Sequence, residues 1–74
     1  MIRELDPVVL KEALPEDRLD AGEVGTVVFV HGSGNGFDVE FATLGGETLA
    51  VVTLAAGSIR PVGDREIAHA RELA

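Results

Sequence analysis

The chain has 74 residues, 6 Lys+Arg against 13 Asp+Glu, a formal net charge of -7 and 46% hydrophobic residues. That length holds one small core and not two, and so much apolar content excludes a disordered acidic tail. With no Cys, disulfides and thiolate metal sites are excluded.

No apolar run approaches the roughly 18 residues of a membrane-spanning helix. Met1-Ile2-Arg3-Glu4-Leu5-Asp6 lacks the cationic and apolar stretches of a signal peptide, so the expected location is the cytoplasm. The six cations, Arg3, Lys11, Arg18, Arg60, Arg65 and Arg71, are scattered, whereas nucleic-acid binding needs them clustered against phosphates. Acidic residues concentrate in the first half, from Glu4 to Glu23, where they would repel nucleic acid and anionic lipid. The bland reading of this charge is solubility. The functional one is a basic protein partner.

In chain order, Asp6–Leu14 reads as a strand, with Pro7 at its start or on an edge, because Pro15 stops any helix before a useful length. Pro15–Glu23 is a polar loop whose Leu19 must fold back onto the core. Val24–Val30 (VGTVVFV) is the densest β-forming run, and Gly25 within it signals a bend or bulge. His31–Gly36 (HGSGNG) is a hairpin connection. Phe37–Ala42 alternates, with Phe37, Val39 and Phe41 on one face and Asp38 and Glu40 on the other. Leu44–Glu47 is a tight turn, and Thr48–Leu54 is a strand that is apolar on both faces. Ala55–Ser58 is a 3₁₀ turn, and Ile59–Val62 a short closing strand carrying Pro61. Asp64 then caps a predicted helix over Arg65–Ala74, with Ile67, Ala70 and Leu73 on one stripe. The predicted fold is mainly β: a small five-stranded antiparallel SH3-like barrel over residues 1–62 and a short helical tail over 63–74.

Several motifs occur in order over residues 5 to 62. They are D-x-V-V-L-x-E-x-L-P-E from Asp6, then G-x-V-G-T-V-V, F-D-V-E-F, T-L-A-V-V-T-L and I-R-P-V. This line resembles the small bacterial domain-of-unknown-function family 4926, with Pro7 where Val is usual. The resemblance implies an SH3-like barrel and transfers no catalytic residue. Some members look like partners of neighbouring toxin-like or enzyme-like genes, which would fit an immunity-like role.

No constellation specifies a reaction. His31 and His69 lie 38 residues apart without a ligand motif, so no metal or other cofactor is expected. Gly32-Ser33-Gly34-Asn35-Gly36 lacks the Lys-Ser/Thr of a phosphate loop and joins two strands. Ser33, His31 and Asp38 on a glycine-rich tip cannot hold a catalytic triad to tolerance. Glu16-Asp17 and Asp38/Glu40 read as solvated faces. The excess of apolar strand surface is more informative. If Thr26, Val28 and Val30 point inward, then Val27 and Phe29 point outward and need cover, from the C-terminal helix, a partner or a second copy.

The expected function is therefore a non-enzymatic protein-interaction module, such as an inhibitor, immunity-like or accessory protein. Val27 and Phe29 are its expected apolar contacts, and Glu16, Asp17 and Asp20 steer a basic partner. The alternatives are a nucleic-acid- or ribosome-associated barrel, which the charge opposes, a structural subunit of a larger enzyme, and a homo-oligomer.

Overall fold

The structure, a computed structural model, describes residues 1–74. Five strands form one antiparallel sheet: β1 (Pro7–Leu10), β2 (Val24–His31), β3 (Gly36–Ala42), β4 (Thr48–Ala55) and β5 (Ile59–Pro61). Their spatial order is β4-β3-β2-β1-β5. Consecutive strands from β1 to β4 are neighbours, and β5 returns to pair with β1 through Val9↔Arg60 and Leu10↔Ile59. Short 3₁₀ turns occupy Pro15–Asp17 and Ala56–Ser58. No helix is long and apolar enough to cross a membrane.

The core follows the alternation of β3. Phe37, Val39 and Phe41 are buried, and Val8 and Leu10 of β1, Val27 of β2, Leu54 of β4, Ile59 of β5 and Leu19 of the first long loop join them in one cluster. Leu19 reaches that cluster because a bridge between Leu14 and Leu19 closes the Pro15–Asp17 turn and folds the loop back. Gly25 is buried where β2 passes over β3: a Cβ there would lie 2.5 Å from Val39 Cγ1 and 2.9 Å from Phe41 Cε1. Glycine here is a condition of close packing rather than of an unusual backbone angle.

Three expectations are corrected. First, the sheet is not closed. β4 and β5 are its two edges and form no ladder with each other. Second, no helix follows β5, and residues 62–74 run irregular and exposed, with one turn at Asp64–Arg65. A helix of about ten residues is marginal without apolar packing, and Ile67, which would anchor it, is 92% exposed. Charged side chains of the segment instead pair with residues outside it, one six and the other 48 residues away. Glu66 binds Arg60, and Arg71 binds Glu23.

Third, the phase of β2 is opposite to that expected at its centre. Val27 is 0% exposed and faces Val39 in the core. The register then skips one residue, so that Phe29 lies opposite Asp38 on the outer face and Val30 opposite Phe37 on the inner one. Val28 is the extra residue of a β-bulge and is exposed. The bulge lets Val27 and Val30, an odd number of residues apart, both turn inward.

Candidate functional site

The outer face of β2, β3 and β4 is built by the same pairing that fills the core. Asp38 lies between Phe29 and Thr53, and Glu40 lies between Thr26 and Val51. Phe29 is 49% exposed and Val51 57%. Large apolar side chains therefore stand beside two carboxylates on one solvated surface.

The carboxylates are held in place by the sheet. His31 Nε2 lies 2.8 Å from Asp38 Oδ1, and the Thr53 hydroxyl donates to the same oxygen at 2.6 Å. The bonds from Thr53 and then His31 hold the Asp38 carboxyl below its ordinary range. Both bonds fall on Oδ1, which leaves Oδ2 available to another donor. Thr48 donates its hydroxyl to Glu40 Oε2. Phe29 packs edge-on against the His31 ring, with centroids 4.8 Å apart at 67°. Phe29 is thus a fixed apolar platform next to an oriented carboxylate.

The residues singled out from sequence do not form one patch. Val27 belongs to the core and cannot touch a partner. Glu16 and Asp17 are exposed on the 3₁₀ turn of the first long loop. Asp20 follows on the same loop, 3.4 Å from the Arg71 guanidinium. That loop enters β2 at Val24, and Phe29 lies five residues further on, about 17 Å along the strand. Asp38 and Glu40, read from sequence only as a solvated face, are the acidic groups of this surface, and Asp38 is the one opposite Phe29.

A second feature lies at the loop end of the sheet. The tail is tethered twice. Arg60 grips Glu66 through two bonds of 2.7 Å, and Glu66 also accepts from the Gly63 amide at 2.6 Å. Arg60 and then Gly63 depress the Glu66 carboxyl to about 2. Further on, Arg71 bonds Glu23 and the Arg18 carbonyl. Between tail and sheet lies a recess of about 1030 Å³ whose walls include Val9, Val24, Leu49, Ile67 and Leu73, and not Phe29. His69 also lines it, and His31 does not.

No group of three or more His, Asp or Glu side chains is placed to hold a metal ion. Ser33, at the tip of the hairpin, makes no hydrogen bond with the His31–Asp38 pair, whose second donor is Thr53. No curated protein and no solved structure matches the chain. The model of the domain of unknown function DUF4926 matches residues 4–61, from the N-terminal segment to the last residue of β5, and leaves the tethered tail outside. The ordered motifs, the five-stranded sheet they build and this match over most of the chain together establish that the chain belongs to the DUF4926 family.

Proposed function

We propose that this domain is a non-enzymatic protein-interaction module that recognises a basic protein surface through the outer face of β2–β4. The observation that carries this reading is the half-exposed Phe29 beside Asp38, whose Oδ2 has no bond within the chain. An arginine of the partner fits both. Its guanidinium bonds Oδ2, and its planar face or aliphatic stem covers the Phe29 ring. The net charge of -7 raises the encounter rate with such a partner, and Glu16 and Asp17 on the distant loop act in this long-range role. An inhibitory or immunity-like role is one form this binding takes.

The same reading keeps an SH3-like curl for the sheet. It is supported by Leu54 from one edge strand and Ile59 from the other meeting in a single core cluster.

The experiment is affinity capture with the full chain and its Phe29→Asp variant, compared protein by protein. A binder held by the wild type and lost by the variant, with retention falling as salt rises, is the expected result. Equal recovery by both chains removes Phe29 as the contact. Binders that vanish on nuclease treatment would favour a nucleic-acid-associated role instead.

A further inference from the structure

The two sheet edges are treated very differently. β5 is three residues long, carries the charged Arg60 and ends at Pro61, all devices that blunt an edge. β4 is eight residues long, Thr-Leu-Ala-Val-Val-Thr-Leu-Ala, with no charge and no proline, in a chain that is 26% charged. It pairs with β3 on one side and with nothing on the other.

The backbone direction on that free side follows from the β3–β4 ladder. The Ala56 amide donates to the Asn35 carbonyl, and antiparallel pairs alternate between bonded and non-bonded positions. Leu54 and Val52 therefore aim their amides and carbonyls at β3, while Val51, Thr53 and Ala55 aim theirs outward. Three successive outward donor–acceptor sets are left unpaired along an uncharged edge.

We propose that the free edge of β4 is a self-association site, pairing antiparallel with β4 of a second copy of this chain about a two-fold axis through Thr53. In that register the outward groups of Val51, Thr53 and Ala55 meet those of Ala55, Thr53 and Val51 of the second copy. All three sets are satisfied, and inward side chains stay on the inward face. Neighbouring registers leave one set unmatched or turn the core face of one copy to the outer face of the other. The pairing places no charge opposite a charge, since the strand has none. The nearest facing carboxylates are the two copies of Asp38, three strand spacings apart, or about 14 Å. That exceeds the Debye length of about 8 Å at physiological salt, so the net charge does not forbid the contact. A strand about 27 Å long in a sheet about 10 Å thick covers about 500 Å² over both copies. This is well under the roughly 1,200 Å² of stable interfaces, so the dimer exchanges with monomer and fills only at high protein concentration.

Sedimentation of the full chain from about 20 µM to about 1 mM tests the proposal, alongside three variants. The wild type shifts towards twice the monomer mass with concentration. Val51→Pro, which removes an outward amide without touching the β3 ladder, stays monomeric with an unchanged circular dichroism spectrum. Thr53→Lys sets two ammonium groups across the axis while keeping Asp38 as a neighbour, and it weakens association even if the proline variant fails to fold. Thr53→Cys, the sole thiol in the chain, gives a disulfide dimer under mild oxidation. A bonded antiparallel pair holds its Cα atoms about 5.5 Å apart, within the roughly 4.4–6.8 Å that disulfides span. A monomer at every concentration overturns the proposal. So does a dimer that survives both Val51→Pro and Thr53→Lys, or one abolished by Phe29→Asp, which would move the contact to the outer face.

Discussion

Replacing Gly25 by alanine isolates the packing of this core. Gly25 has no positive φ, so alanine can adopt its backbone conformation and the effect is steric. The added methyl would sit 2.5 Å from Val39 Cγ1, 2.9 Å from Phe41 Cε1 and 3.0 Å from the Glu40 carbonyl oxygen. Val39 is 0% and Phe41 2% exposed, so neither side chain has solvent to retreat into, and the third neighbour is backbone. Overpacking of this kind costs about 1–3 kcal/mol. For a domain of this size each kcal/mol shifts Tm by about 4–8 °C, so a loss of about 2 kcal/mol lowers Tm by roughly 8–16 °C. Gly57→Ala is the matched control. It also lacks a positive φ, but no atom lies within 4 Å of the new Cβ, so it should be neutral or stabilising by about 0.4–1 kcal/mol. The chain has no Trp or Tyr, so unfolding is followed by far-ultraviolet circular dichroism in heat and urea. If Gly25→Ala melts with or above the wild type, the close approach of β2 to β3 is wrong.

The two apolar residues of β2 should separate cleanly. Val27→Ala removes buried methyls and should cost about 2–3 kcal/mol in urea unfolding, while Phe29→Ala should cost under about 1 kcal/mol. The Glu66 carboxyl, depressed to about 2, should return towards the ordinary carboxylate range in Arg60→Gln, read by side-chain carbon NMR titration. Because its docked value is lowered, the tether it makes is complete above the ordinary range near 4.5 and is lost as pH falls towards 2. Asp38 has the same sign. Thr53→Val removes the largest cause of its lowered pKa, so its titration should move upward. Arg71→Ala removes the bonds to Glu23 and the Arg18 carbonyl, and amides from Ile67 to Ala74 should gain mobility by NMR relaxation without loss of the sheet.

Strand positions were legible because they rest on local signals. The alternation of Phe37, Val39 and Phe41 against Asp38 and Glu40 places β3 and its core face without further information. Leu19 was legible for the same reason: a lone apolar residue in a polar loop has to find the core. The phase of β2 was not. In Val-Gly-Thr-Val-Val-Phe-Val both faces are apolar, so nothing local marks the extra residue at Val28, and the bulge is set by pairing with β3. The tail is not legible because helix propensity reports only residues within the segment, while the pairs that hold it reach outside it, from Glu66 to Arg60 and from Arg71 to Glu23, the latter 48 residues apart. Closure of the sheet is a tertiary property, and strand count alone cannot report it. In the candidate site, the acids of the outer face follow directly from register. Asp38 and Glu40 alternate outward, and Phe29 pairs with Asp38 once the bulge is known.

The most direct test of the central claim is quantitative capture by wild type, Phe29→Asp and a Glu16→Ala/Asp17→Ala double variant from extract of cells that encode the protein. If the outer face of β2–β4 binds a basic partner, one protein held by the wild type is lost with Phe29→Asp. The loop variant keeps that protein but captures it more slowly at low salt. If every protein recovered by the wild type is recovered equally by Phe29→Asp, the outer face is not the contact surface and the account of function fails.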